Sequence, residues 1–133
     1  METARDVVAG YFSAFNAGDR AQMLAYLSED VAHHVNEGSV RRGKARFAAF
    51  CAHMSRCYRE ELTDMVIMAS DDGRRTAAEY MVNGTYLETD EGLPEAHGQR
   101  YRLPAGSFFS LEDGKISRVV TYYNLADWIR QVS

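Results

Sequence analysis

The sequence has few of the features that mark membrane or secreted proteins. Only two of its 133 residues are cysteines, and no apolar run approaches the ~20 residues that a membrane-spanning helix needs. The first residues also lack the basic stretch followed by an apolar stretch that is typical of a secretory signal. Cys51 and Cys57 fall on different faces of a predicted helix, so we expect no disulfide. These absences predict a reduced, cytoplasmic protein without a membrane partner.

Excess positive charge is also missing. The 15 Lys and Arg residues are outnumbered by 19 Asp and Glu residues, which gives a net charge of −4. Proteins whose main partner is nucleic acid or an anionic membrane carry a basic surface. We therefore expect neither partner. The one basic cluster, Arg41 to Arg46, is predicted to be a solvated edge beside the start of a helix.

Signatures of a metal or cofactor are absent from the sequence. It has no glycine-rich phosphate loop and no nucleophile elbow. His53, His97 and the two cysteines have none of the spacings that are typical of metal sites. We therefore expect no metal and no cofactor.

The patterns that are present predict a single domain over residues 1–133. Its hydrophobic content of 46% is enough for one core. Apolar residues recur every three or four positions from Ala4 to Phe15, which predicts a first helix. The remaining predicted elements are helices at 19–28, 44–57 and 124–131, strands at 31–36, 58–70 and 75–87, and a hairpin at 101–124. Helices followed by long strands indicate an α+β fold, a cone-shaped, curved antiparallel (mixed) sheet wrapped around the amino-terminal helices.

The dipeptide Asp113-Gly114 predicts the register of the hairpin. Type I′ turns need positive φ at both central residues, which favours Asp-Gly. Counting outwards from this turn predicts three facing pairs on one side: Phe108 with Val119, Gly106 with Thr121, and Pro104 with Tyr123. Because side chains alternate between the two faces of a strand, Arg102 joins this side. The shared face is a core or a pocket wall.

The order of elements carries a family resemblance. Together with Asn16-Ala17-Gly18-Asp19 after the first helix, and Gly114-Lys115-Ile116 followed by Tyr122-Tyr123-Asn124, it resembles the nuclear transport factor 2-like superfamily. Within that superfamily the chain looks most like the SnoaL-like and ketosteroid isomerase-related proteins, over essentially its whole length. The resemblance implies an α+β barrel with a deep apolar pocket for a small apolar ligand or substrate, often in a homodimer formed through the sheet. Members of the superfamily act as isomerases, cyclases, dehydratases or epoxide hydrolases, and others only bind a ligand or partner.

Two relatives can be compared residue by residue. Ketosteroid isomerase uses an Asp base, and a Tyr with a protonated Asp that hold the oxyanion. Tyr11 matches the tyrosine. Val35 occupies the position of the Asp base, with His34 one residue away, and Gly106 occupies the position of the protonated Asp. Limonene epoxide hydrolase uses an Arg-x-Asp pair and a second Asp from the last strand. Arg-x-Asp occurs nowhere in this chain, and Thr121 occupies the position of the second Asp. The aspartates of both mechanisms are therefore missing.

Three positions in the chain carry candidates for catalysis. Tyr11 lies on the apolar face of the first helix, where its hydroxyl either reaches the pocket or closes a hydrogen bond in the core. His33 and His34 point to opposite faces of a strand, and superposition on the family indicates His33 as the inward one. It is either a general base or a core or surface histidine without a catalytic role. Glu79 lies in an otherwise apolar strand, and three alternatives stay open: burial that favours its neutral form, an ion pair with Arg102, or a place on a solvated outer face.

These observations favour an enzyme that performs cofactor-independent proton transfer on a small apolar carbonyl compound, in the manner of an isomerase or cyclase. Tyr11 is predicted to stabilise an enolate oxygen, with His33 or Glu79 as the base. The predicted substrate-binding residues are Asn36, Arg102, Phe108, Val119, Thr121 and Tyr123. Two alternatives stay open. One is a non-catalytic domain that holds an apolar ligand, and the other is a dimeric protein-interaction module with an exposed sheet face formed by Phe109, Leu111, Val120 and Tyr122.

Overall fold

The computed structural model describes residues 2–133 as four helices and a six-stranded sheet. The elements are α1 (Ala4–Ala17), α2 (Arg20–Ala25), β1 (Leu27–Val35), β2 (Arg41–Arg42), α3 (Lys44–Cys57), β3 (Tyr58–Ala69), β4 (Arg75–Tyr86), β5 (Arg100–Glu112), β6 (Lys115–Tyr123) and α4 (Leu125–Val132). The strand order is β2-β1-β6-β5-β4-β3, in which β1 and β6 are parallel and the other neighbours antiparallel. The predicted α+β fold with a mixed sheet is confirmed.

Side-chain caps fix the limits of the helices. Thr3 and Asp6 form a reciprocal capping box at the start of α1. Gly18 ends that helix in the left-handed conformation, with φ of 72°. Asp19 then accepts a hydrogen bond from the amide of Gln22 and begins α2. No helix within residues 2–133 is long and apolar enough to cross a lipid bilayer.

Three helices cover the inner face of the sheet, and the space between them and this face is called the cone here. The ring of Phe12 on α1 packs against Phe109 and Tyr80 of the sheet, at centroid distances of 5.6 and 5.2 Å. Phe47 on α3 packs against β1, and Trp128 on α4 packs against the aromatic rings of β3, β4 and β5. The core of the domain therefore lies inside the cone.

The hairpin of β5 and β6 has the predicted turn but a different register. Asp113 and Gly114 both have positive φ, and Glu112 pairs with Lys115. A β-bulge at Ser117 then shifts β6 by one residue, so that Phe109 rather than Phe108 lies opposite Val119. Because a shift of one residue exchanges the two faces of a strand, the prediction that the two strands contribute Phe108 and Val119 to the same face is wrong.

Three predicted site residues lie on the outer face of the sheet. Phe108 is 48% exposed. Glu79 is exposed because the inward side chains of β4 are its neighbours Ala78 and Tyr80. Arg102 is exposed as well, and it contacts Asn83 and Asp64 rather than Glu79. The expectation that Phe108 and Arg102 line the interior is therefore wrong. Of the three alternatives for Glu79, the solvated outer face is the one observed.

The apolar surface of the outer face also differs from the prediction. Phe109, Leu111 and Val120 are buried, and of the four predicted residues only Tyr122 is exposed. The exposed apolar side chains that the sheet presents outward are Val66, Met68, Phe108 and Tyr122, which we call the outer apolar patch. The rings of Phe108 and Tyr122 contact each other edge to face, at a centroid distance of 5.9 Å.

Candidate functional site

The inner face of the cone carries a carboxylate, Glu60 on β3, that is a stronger candidate than those predicted. The hydroxyl of Tyr101 on β5 donates a hydrogen bond to its Oε2 over 2.5 Å. The two residues are not on adjacent strands, since Gly84 of β4 pairs with both. A Cβ added at Gly84 would overlap the ring of Tyr101. The absence of a side chain at Gly84 therefore lets the ring cross β4 and reach Glu60.

Burial sets the acid–base character of this pair. It raises the pKa of the Glu60 carboxyl above its ordinary value, and the hydrogen bond from Tyr101 opposes that rise. Burial, followed by the neighbouring Glu60 charge, raises the pKa of the Tyr101 phenol far above its ordinary value. The phenol proton therefore stays on Tyr101. Glu60 has an increased proton affinity, which strengthens it as a general base.

The charge of Glu60 also acts on other hydroxyl groups of the inner face. The pKa of Tyr123 is raised by burial and then by the Glu60 charge, and Glu60 also contributes to the raised pKa of Tyr80. The Tyr80 hydroxyl lies 2.7 Å from Oγ of Ser107, which in turn lies 2.9 Å from Oγ1 of Thr121. A line of hydrogen-bonded hydroxyl groups therefore runs along the inner face from Tyr80 to Thr121. Thr121 and Tyr123 are both partly exposed.

Tyr11 lies on the helical side of the cone. Its ring is buried and packs edge to face against Phe12 and Phe109. Burial raises the pKa of its phenol well above the ordinary value, and nearby Cys51 and Tyr80 add to this rise. Tyr11 therefore stays protonated and can only act as a hydrogen-bond donor or acceptor, not as a base.

His33 is the histidine that faces inward, and its surroundings are apolar. Its ring lies between those of Phe47 and Phe50, at centroid distances of 4.8 and 4.7 Å, and its buried Nδ1 has no hydrogen-bond partner among the described residues. Burial, with smaller contributions from Arg41 and His34, lowers its pKa to about 4. His33 is therefore neutral at pH 7 and a weak base.

Two further predicted residues have structural contacts. Asn36 has a positive φ of 46°, and its side-chain oxygen accepts a hydrogen bond from the amide of Tyr123 over 2.8 Å. It therefore joins the end of β1 to β6, and it lines an open surface groove beside the start of α4. Val119 is buried in the core.

A separate group of donor atoms lies at the end of α3. His53, Cys57 and Asp90 bring one nitrogen, one sulfur and one oxygen atom within 4.8 Å of one another. Both cysteines of the chain are free, as predicted.

Comparison with known proteins gives the family. The sequence profile of the SnoaL-like domain matches residues 8–119. This chain belongs to the SnoaL-like family. A nuclear transport factor 2-like protein from Burkholderia xenovorans LB400 is 18% identical over 100% of this chain and 99% of its own, with a TM-score of 0.78, which confirms the fold.

Two other solved structures are much more similar. One from Silicibacter sp. TM1040 is 72% identical over 98% of this chain and 96% of its own, with a TM-score of 0.96. One from Pseudomonas putida KT2440 is 57% identical over 100% of both chains, with a TM-score of 0.98. Each is described as a “putative polyketide cyclase”. No curated protein matches the chain.

Glu60 could have been found from the sequence. Glu60 and Glu61 are neighbours in a predicted strand, so one of them must point inward, and Glu60 shares its face with the apolar Leu62. The second signal was Gly84, a glycine inside a strand, where a close approach of another group is common. The sequence does not reveal that Tyr101 is the group that approaches.

Proposed function

We propose that this SnoaL-like protein is an enzyme of the polyketide cyclase or isomerase type, which moves protons on a small apolar carbonyl compound inside the cone. The observation that supports it most is the inward Glu60 carboxylate with its raised pKa and its 2.5 Å hydrogen bond from Tyr101. The two similar structures, at 57% and 72% identity, support the cyclase class.

In this proposal Glu60, rather than His33 or Glu79, is the base. It takes a proton from the carbon next to a carbonyl group, and the C–H electron pair moves onto the carbonyl oxygen to give an enolate. Tyr11 donates a hydrogen bond to that oxygen, in the role that the family resemblance assigned to it. Thr121 and Tyr123 bind the substrate, and Tyr101 holds the Glu60 carboxylate in position.

The second half of the reaction decides the product. In an isomerisation, the protonated Glu60 returns its proton to a different carbon of the enolate. In a cyclisation, the enolate carbon attacks a second carbonyl carbon of the same molecule, and the new alkoxide takes the proton from Glu60. Neither proton transfer needs a cofactor, because the carboxylate and the hydroxyl donors come from the chain itself.

We also propose that residues 1–133 form one domain that pairs with a second copy in the cytoplasm. The outer apolar patch supports a homodimer, because Val66, Met68, Phe108 and Tyr122 are each between 41% and 52% exposed on one side of the sheet. The missing aspartates favour an alternative, a domain that binds an apolar ligand without converting it.

Proton exchange tests the proposal without knowledge of the natural substrate. The wild-type protein is incubated in D₂O with 1-indanone, 1-tetralone and a steroid-sized enone, and loss of the α-proton signals is followed by NMR. We expect exchange faster than in buffer for at least one ketone. Saturable binding of these ketones with exchange no faster than in buffer would instead support the ligand-binding alternative.

A further inference from the structure

Three side chains with different metal-binding atoms converge at the carboxyl end of α3, separate from the Glu60 site. Nε2 of His53 lies 2.9 Å from Oδ1 of Asp90 and 4.0 Å from Sγ of Cys57. His53 and Cys57 are four residues apart on a helix and so share one face, while Asp90 comes from the loop after β4. We propose that His53, Cys57 and Asp90 form a binding site for a divalent cation of the zinc class.

The distances fit tetrahedral coordination. Zinc binds imidazole nitrogen, carboxylate oxygen and thiolate sulfur at about 2.0–2.3 Å, which places neighbouring ligand atoms about 3.4–3.6 Å apart. The separations of 2.9 and 4.0 Å lie on either side of that range. Sγ of Cys57 and a carboxylate oxygen of Asp90 lie within 4.8 Å of each other. Side-chain adjustments on the order of 1 Å therefore bring the three atoms to coordinating positions. Three ligands leave a fourth position for water or another ligand.

The chemistry of the donor atoms selects the cation. A thiolate and an imidazole favour zinc, cobalt and similar ions over magnesium and calcium, which prefer oxygen ligands. Cys57 is only 1% exposed, whereas the imidazole and carboxylate are partly exposed and give the cation a route of entry.

Neighbouring groups already hold the carboxylate in place. The Tyr58 hydroxyl donates to Oδ2 of Asp90 over 2.7 Å, which leaves Oδ1 for the cation. The amide of Asp90 donates to the hydroxyl of Tyr86, whose own proton goes to the carbonyl of Pro94. The loop that carries Asp90 is therefore fixed against the sheet, so that less ordering is needed when a cation binds.

Binding requires a defined movement of protons. A guanidinium nitrogen of Arg56 lies 3.2 Å from Nδ1 of His53, and since Arg only donates, the ring proton is on Nε2 and points at Asp90. When the cation takes the Nε2 electron pair, the ring proton moves to Nδ1 and the exposed Arg56 side chain turns away. Cys57 binds as the thiolate, so its proton is released to solvent.

Cobalt titration tests this site directly. We expect the reduced protein to bind one equivalent of Co²⁺, with a near-ultraviolet thiolate charge-transfer band and the visible bands of tetrahedral cobalt, and Zn²⁺ to displace it. Cys57→Ser should abolish the charge-transfer band, and Asp90→Asn and His53→Gln should weaken binding about tenfold or more. Cys51→Ser is the matched control, because Cys51 lies outside the cluster, and it should bind as the wild type does.

Three results would overturn the proposal. They are the absence of a charge-transfer band in the wild type at saturating Co²⁺, a band that survives in Cys57→Ser, and a band that is lost in Cys51→Ser. Circular dichroism of each variant shows whether it folds. The partly exposed His53 and Asp90 variants keep the test decisive if Cys57→Ser does not fold.

Discussion

The hydroxyl of Tyr101 reaches the carboxylate of Glu60 across a strand that lies between them, over the position where Gly84 has no side chain. This contact joins three strands on the inner face of the sheet. It places a proton donor against a carboxyl group whose pKa burial raises above its ordinary value. The contact therefore links a single glycine in the sequence to the chemistry proposed for the cone.

Gly84→Ala should displace Tyr101 and loosen the site. Because the added Cβ would overlap the Tyr101 ring, we expect the free energy of unfolding to fall by about 1–3 kcal/mol. Urea denaturation measures this. Gly106→Ala is the control, since its Cβ would meet only the carbonyl of Ala78 at an ordinary 3.6 Å. Equal stability of the two variants would show that the gap at Gly84 is not needed.

Glu60→Gln should stabilise the fold at neutral pH. The pKa of Glu60 is raised in the folded state, so the folded state binds the proton more tightly than the unfolded state does. The stability of the fold therefore decreases as the pH rises from the unfolded pKa to the higher folded pKa. The amide still accepts the hydrogen bond from Tyr101 but carries no charge. We expect a melting temperature several degrees above that of the wild type at pH 7, and a smaller difference below about pH 4. A lower melting temperature at pH 7 would contradict the raised pKa.

His33 should make the fold sensitive to acid. Its pKa is about 4 when folded and 6.5 in the reference state, so the unfolded chain binds a proton that the folded chain does not. Relative to His33→Leu, the wild type should lose about 3 kcal/mol of stability between pH 7 and pH 4. Urea denaturation at several pH values measures the difference. If the difference in the free energy of unfolding between the wild type and His33→Leu did not change with pH, His33 would not be buried in its neutral form.

The same variant separates the two proposed bases. Because His33 is a weak base enclosed by Phe47 and Phe50, His33→Leu should keep most of the proton-exchange activity as long as it folds. Loss of exchange in a well-folded His33→Leu protein would return the role of base to His33.

The outer apolar patch should hold two copies of the chain together. Phe108→Glu places a charge in the middle of the patch, and we expect it to convert a dimer into a monomer, as measured by light scattering after gel filtration. Val40→Glu is the control, because Val40 is similarly exposed (41%) but lies outside the strands. A wild-type monomer, or a dimer that survives Phe108→Glu, would rule out this interface.

Local signals in the sequence predicted much of the fold correctly. Gly18 and Asp19 mark the junction of α1 and α2, Asn124 caps α4, and Asp113-Gly114 forms the hairpin turn. Each depends on backbone geometry or on a hydrogen bond within a few residues, which the local sequence encodes. The α+β order followed from the sequence of these elements.

The positions of the site residues were predicted less accurately than the helix and turn limits, because they depend on distant parts of the chain. No glycine or proline near Ser117 indicates the bulge in the sequence. Because of the bulge, Phe108 and Phe109 lie on the faces opposite to those predicted. Asp90 contacts His53, which is 37 residues away, only because the loop after β4 folds back onto α3. Face and register are decided by the packing of the whole sheet, whereas periodicity gives only their alternation.

The most direct test of the proposed function is the kcat/KM of Glu60→Gln in proton exchange on the best ketone found with the wild type. We predict a fall of about 10²- to 10⁴-fold, with KM little changed, because the amide keeps the shape of the side chain but cannot take a proton. Glu61→Gln, on the next residue of the same strand but exposed, should keep the wild-type value. A Glu60→Gln protein as active as Glu61→Gln would contradict the assignment of Glu60 as the base.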